Sequence, residues 1–276
     1  MQYKLKDYLK LDFDAVALTF SNDKIDNAIS FKEGKYGCVM YLFVSAARGK
    51  TTQVSRETFG CWGGAVGLGF GNYYTKFPGG LDCFYSFLSN GNKNSEKGKN
   101  ILKNLEGKVN ESLYEKFANG EKLKKTPELV KTFVEKDLPI TDIPFKFVTF
   151  KPLSLAENND NIKSVSFIVN PDQLSALIIL SNYFRDGLNN VIAPQAAACQ
   201  QIGILTYKED ESDNPRAVIG LTDISARLNL KHSLKGGYLT VSMPYKLFLK
   251  MEENADESFL NGPTWNKLIT NQQFDK

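Results

Sequence analysis

The chain has 276 residues, 34 of them lysine or arginine and 31 aspartate or glutamate, for a formal net charge of +3. Hydrophobic residues make up 42% and charged residues 24%, near the average for globular proteins, which excludes a disordered chain. So slight a basic excess gives no footprint for dedicated nucleic-acid binding, and the length fits one large domain or two small intertwined lobes.

Residues 1–10 alternate charge with apolar side chains at helical spacing and read as an amphipathic opening helix. They lack the unbroken apolar run and small-residue cleavage site of a secretory signal. The longest apolar runs, 39–47 and 176–180, fall short of the roughly 18 residues that span a bilayer. Four cysteines are far fewer than a disulfide scaffold carries. The expectation is a cytoplasmic protein with reduced thiols and no membrane partner.

In chain order, residues 14–20 predict a strand ended by Ser21-Asn22-Asp23. Residues 38–47 form a continuous apolar segment with glycine just beyond, which predicts a buried helix; 51–54 is a short β-type stretch. Between Gly60 and Gly80 lie eight of the chain's 21 glycines, interleaved with Trp62, Phe70, Tyr73, Tyr74 and Phe77. Linkers are not studded with large aromatics, so this segment reads as backbone packed close to something. A lysine-rich helical stretch (94–119, then 127–136) reads as a solvated excursion. Strands are expected at 145–150 and 164–169, and a helix opened by Pro171 runs through Arg185 with Gly187 past its end. A small-residue helix over 194–204 carries Cys199, followed by an acidic loop over 208–214. Then come a strand at 216–219, a helix at 222–230, a strand at 238–241 and two closing helices. Strands and helices mix without regular βαβ alternation, so the expected class is α+β, a mixed sheet with helices. It is read as one domain over 1–276, with lobes 1–92 and 145–276 and a helical excursion over 93–144.

Two stretches echo each other. Cys38 in an apolar helix is followed by Gly60-Cys61, and Cys199 in a helix is followed, at nearly the same interval, by Gly220-Leu221. A duplication would make Cys38 and Cys199 equivalent, put Leu221 in the place of Cys61, and set the glycine-rich segment at the junction of two related lobes; coincidence is the alternative.

His232 is the single histidine, which removes a multi-histidine metal site and argues against a Ser/His/Asp or Cys/His pair. No phosphate-binding loop is present, and Gly67-Leu68-Gly69-Phe70-Gly71 has the wrong spacing for a dinucleotide turn. The cysteines remain. Cys38, Cys61, Cys83 and Cys199 contain no C-x-x-C pair, yet scattered cysteines hold an iron–sulfur cluster when a fold gathers them. Glycine precedes Cys38 and Cys61, and Trp62-Gly63-Gly64 sets a dry wall beside open backbone. The opposing reading is that buried cysteine packs as a small hydrophobe, which suits Cys83 and Cys199. Of the five arginines, Arg48 stands with Lys50, Thr51 and Thr52 at a helix-to-strand turn suited to an anion, and Arg216 and Arg227 flank the second echo.

Three runs, Phe31 to Met40, Arg56 to Gly64 and Gly67 to Asn72, together with Asn170 to Leu174 and Cys199 to Gly203, resemble the bacterial and archaeal family called domain of unknown function 169. The resemblance covers roughly 14–265 and implies that Cys38, Cys61 and Cys199 stand where that family also carries cysteines. Many relatives have a further cysteine near Gly220, where this chain has Leu221 while keeping Arg227; Cys83 is then the candidate to complete a four-cysteine set. Two functions follow. One is a thiol-bound metal or iron–sulfur cluster on Cys38, Cys61, Cys83 and Cys199, with a redox role. The other is a metal-free regulatory or binding module, with Arg48, Lys50, Trp62, Gly63 and Gly64 around a small anionic ligand. The residues name no catalytic group and no oligomeric state.

Overall fold

A computed structural model describes residues 2–158 and 160–271. In chain order the elements are α1 (Leu5–Leu9), β1 (Val16–Ser21), α2 (Met40–Ala47), β2 (Thr52–Ser55), α3 (Trp62–Gly67), α4 (Gly80–Leu88), α5 (Glu96–Leu105), α6 (Glu111–Asn119), α7 (Pro127–Thr132), β3 (Phe147–Pro152) and β4 (Ile162–Val169). There follow α8 (Pro171–Tyr183), β5 (Val191–Ile192), α9 (Ala198–Ile202), α10 (Ile204–Asp210), β6 (Ala217–Gly220), α11 (Ile224–Leu230), β7 (Leu239–Pro244), α12 (Tyr245–Asn254) and α13 (Pro263–Asn271). The class is α+β.

The seven strands form one sheet in the order β2-β3-β1-β4-β7-β6-β5, antiparallel except for the short β5–β6 pair. β1 is an interior strand with β3 on one side and the middle strand β4 on the other, in a register that sets Val16 opposite Pro152 and Ser166. Alternation along the strands divides the two faces. Ala17, Val165, Phe167, Val241 and Met243 point into a core closed by Leu5 and Leu9 of α1, Leu177 and Leu180 of α8, and Phe248 and Met251 of α12. On the opposite face, Phe150 meets Phe43 of α2 edge to face at 5.9 Å, and α9 and α10 pack over β6 and β7. That face is also polar: Ser166 and Ser242 bond across β4–β7 at 2.7 Å.

Two helices show their causes plainly. α8 opens with Pro171 behind Asn170, whose side chain accepts from the Gln173 amide while Gln173 reaches back to the Asn170 amide, a reciprocal cap read directly from N-P-x-Q. The helix expected over 194–204 is instead broken. It runs as α9, stops at Gly203 (φ −110°, ψ −108°), and restarts as α10. The expected acidic loop loses residues 208–210 to α10, because Glu209 turns inward and takes the Arg216 guanidinium at 2.6 Å and the Arg216 amide at 2.8 Å.

The chain forms two compact units, 1–69 with 143–276, and 70–142. This division differs from lobes 1–92 and 145–276, whose strands belong to one sheet. The 70–142 unit has an aromatic interior of its own, to which the helices expected as a solvated excursion contribute Phe117, Val130 and Val134. Tyr74 stacks on Phe84 at 3.9 Å, Phe77 stacks on Phe117 at 5.8 Å, and Val130 and Val134 are buried. No helix among the described residues is long and apolar enough to cross a membrane.

Candidate functional site

Three of the four cysteines belong to the sheet-bearing unit, on the side of α2 and α9. Cys38 lies just before α2, and its carbonyl accepts the Tyr41 amide at 3.0 Å. Cys61 caps α3, its sulfur accepting the Gly64 amide at 3.3 Å. Cys199 is the second residue of α9, and its thiol donates to the Gly63 carbonyl at 3.1 Å. Cys38 and Cys61 are half-buried and Cys199 is buried.

Two backbone contacts bring these sulfurs together. The Gly37 amide donates to the Gly60 carbonyl at 3.4 Å, with the Phe31 ring against both residues. A Cβ at either glycine would collide with that ring, and Gly60 also holds φ +82°, which disfavours any side chain. The residues that follow these paired glycines are Cys38 and Cys61. The second contact joins α3 to α9: a Cβ at Gly67 would stand 2.7–2.9 Å from the Cys199 and Gln200 backbone, and one at Gly203 would strike the Gly67 carbonyl. Close approach here is what breaks the 194–204 helix. It also sets Cys199 over the first turn of α3.

The electrostatics agree with this geometry. Burial raises all three thiols, and Cys61 is pushed up from 9.0 to about 11. After burial, the charge-bearing groups that raise Cys199 are Cys61, Cys38 and the Asp223 carboxylate. Asp223 likewise raises Cys38 and Cys61. This carboxylate caps α11, accepting the Ser225 and Ala226 amides at 2.8 and 3.3 Å through Oδ1, while Oδ2 takes the Ala198 amide at 3.4 Å. Asn229 adds a side-chain hydrogen bond to Cys38, and its carbonyl accepts the Tyr41 hydroxyl, tying α11 to α2. Sequence reading missed Asp223 and Asn229. An aspartate before a helix signals a cap, and only the fold turns it toward thiols.

The remaining expected site residues separate. Trp62 stands on the first turn of α3, its ring edge-on to Tyr36 at 4.9 Å, and forms an aromatic wall beside Cys61. Gly63 leaves open space, for a Cβ there meets nothing nearer than the Cys61 sulfur at 3.9 Å, whereas Gly64 lies 2.8 Å from the Phe59 carbonyl on the same measure. Cys83 belongs to the 70–142 unit, buried with its sulfur against Gly79, and its nearby charges are Lys97 and Asp82. Arg48 and Lys50 follow α2 at its C-terminal end, about 15 Å along the helix from Cys38 at 1.5 Å per residue. The Arg48 guanidinium donates to the Ser233 carbonyl and lies over the Phe13 ring. The other arginines likewise bond to the chain itself: Arg56 to the Ile143 carbonyl, Arg185 to the Pro215 carbonyl, Arg216 to Glu209, and Arg227 to the Leu221 and Tyr238 carbonyls.

Among the described residues, no group of three or more His, Cys, Asp or Glu is arranged to hold a metal ion. A single ion bound by all three thiols therefore does not fit this arrangement. An iron–sulfur cluster makes a different demand, since each thiolate binds its own iron and the sulfurs stand further apart than around one ion. The three thiols and the Asp223 carboxylate are near enough to shift one another's ionisation.

Fold and site together define an α+β protein with thiols gathered over one face of an antiparallel sheet. The chain belongs to the family described as uncharacterised ArCR, domain of unknown function 169, whose model matches residues 4–254. No curated protein matches the chain, and no solved structure does.

Proposed function

We propose that this protein holds an iron–sulfur cluster at Cys38, Cys61 and Cys199 and uses it in a redox role. The observation that carries the reading is the convergence of three thiols from distant parts of the sequence, through two glycine contacts that leave no room for a side chain. When bound, a cluster supplies one-electron chemistry at a potential set by hydrogen bonds to its sulfurs and by burial. The chain provides both. The Gly64 amide points at Cys61, Asn229 bonds to Cys38, and Trp62 follows Cys61 with its ring edge-on to Tyr36. Metal-free, the three thiols stay protonated at neutral pH because burial and their own proximity oppose ionisation. Each of the three thiols would have to give up its proton to serve as a thiolate ligand, so metal uptake would be favoured by raising the pH.

The test is anaerobic purification, with absorbance near 400 nm, iron and acid-labile sulfide measured per chain. Serine at Cys38, Cys61 or Cys199 is expected to abolish or sharply reduce the iron, and serine at Cys83 to leave it. A colourless protein that takes up no iron on reconstitution overturns the proposal and leaves a metal-free binding module. The arginine contacts do not favour that second reading, because Arg48 is already engaged by Ser233 and Phe13.

A further inference from the structure

The chain is close to charge balance, with 34 basic and 31 acidic residues, but the two signs are unevenly placed. Residues 34–56 contain no aspartate or glutamate, and neither do residues 224–251. These stretches, far apart in sequence, meet in the fold. The Tyr41 hydroxyl on α2 donates to the Asn229 carbonyl on α11. The Arg48 guanidinium, just past α2, donates to the Ser233 carbonyl, just past α11. Lys50 follows Arg48 by two residues, and Lys231 and Lys235 flank Ser233; all four cations are exposed. Among the described residues, Lys50, Lys231 and Lys235 form no ion pair. One carboxylate stands at the border, where Asp12 accepts the Tyr238 hydroxyl at 3.1 Å.

Beside these cations the face is apolar. Ile224 and Leu228, four residues apart on one side of α11, are 66% and 65% exposed, whereas Ala226 and Leu230 on its other side are buried. Tyr41 of α2 is exposed as well. Large apolar side chains left in water beside a charged rim have the anatomy of a protein-binding surface. This face also adjoins the thiols, because Asn229, the residue after Leu228, gives a side-chain hydrogen bond to Cys38.

We propose that the α2–α11 face is the docking surface for an acidic electron-carrier protein, which meets the molecule next to Cys38. This inference rests on the redox reading above. Charge identifies the partner. Four cations drawn from two acid-free stretches attract a negatively charged surface. They repel a second copy of this chain, since a two-fold contact would set like charges against one another. A nucleic acid is gripped by cations along its phosphates, and exposed Ile224 and Leu228 have no use there. Charge attraction speeds encounter, and a small apolar centre keeps residence short, which suits a carrier that must arrive and leave.

The experiment uses the full chain, purified anaerobically, with an acidic two-iron ferredoxin as probe. Binding is measured at about 50 mM salt, and electron transfer from reduced ferredoxin to the reconstituted protein is followed by stopped-flow absorbance. Two double variants change net charge equally: Lys231→Glu with Lys235→Glu on this face, and Lys99→Glu with Lys108→Glu on the 70–142 unit, all at exposed positions. The face pair is expected to bind ferredoxin about tenfold more weakly and to accept electrons about tenfold more slowly, the difference closing at about 0.5 M salt as screening takes hold. The remote pair is expected to match wild type. Leu228→Gln keeps every charge and is expected to weaken binding about fivefold with an unchanged salt dependence.

Equal losses in the two double variants would show net charge acting alone and overturn the proposal. So would a wild type that binds no ferredoxin, or one that takes duplex DNA or anionic vesicles through Lys231 and Lys235 in its place. A wild type that takes up no iron removes the redox reading and the electron-transfer arm. The binding arm then still decides whether an acidic protein docks on this face.

Discussion

Gly63 and Gly64 are neighbours with opposite tolerances. A methyl at Gly64 meets the Phe59 carbonyl at 2.8 Å, and backbone cannot step aside as a side chain does. Gly64→Ala is expected to lose about 1–3 kcal/mol, the cost of forcing atoms into a packed site. Gly63→Ala has room, lies within α3, and gains helix propensity, so it is expected to be neutral or to gain up to about 1 kcal/mol. Urea midpoints of the two variants check this, and equal midpoints would contradict it. A second expectation concerns pH. The folded state holds Cys61 above its unfolded value of 9.0, at about 11, so the unfolded chain ionises first as pH rises. The stability tied to this thiol is complete below 9.0 and is lost on the way to about 11. Metal-free wild type is therefore expected to weaken more steeply across that window than Cys61→Ser, as measured by urea midpoints at successive pH values.

At the scale of elements, the contact between α3 and α9 decides where Cys199 stands. Gly203→Ala is expected to push the two helices apart, costing about 1–3 kcal/mol and exposing Cys199 to alkylation. A Cys199 alkylation rate equal to wild type would show that the glycine contact does not position this cysteine. For comparison, Asn170→Ala removes a reciprocal cap remote from any thiol and is expected to cost about 1 kcal/mol with no change in thiol reactivity. These two sites also show what sequence reading can and cannot reach. The cap of α8 was legible because its residues are local and each has one physical use. So were β1, β4 and the buried helix α2, whose patterns need no partner to be read. The interruption at Gly203 was not, because its cause is a carbonyl 136 residues earlier in the chain. Asp223 was not legible as a neighbour of the thiols, because an aspartate before a helix signals only a cap and the fold alone turns α11 toward α9.

At the scale of the whole molecule, the 70–142 unit is inserted between β2 and β3, and its ends meet. The Ile143 amide donates to the Gly69 carbonyl at 2.8 Å, and next to it the Gly71 amide donates to the Thr141 carbonyl at 3.0 Å. Replacing 70–142 by a short glycine-containing turn is thus expected to leave the sheet intact, with Gly69 and Ile143 still paired. A cooperative urea transition and retained strand signal in the shortened protein check this; a molten product would show that the sheet depends on the insert.

The interior place of β1 has a consequence in time. Its neighbours are β3 and β4, so Ser21 finds its partner Phe147 only after everything between them has been synthesised. At roughly 5–20 residues per second that is a delay of about 6–25 s, during which the apolar strand Val16–Ser21 has no ladder to join. The insert, by contrast, contacts itself locally along a continuous stretch and is expected to fold while the ribosome is still at work. A strand with ladder partners on both sides in the finished sheet is thus left waiting for both of them, and a nascent chain stalled before residue 147 carries it as bare, aggregation-prone edge.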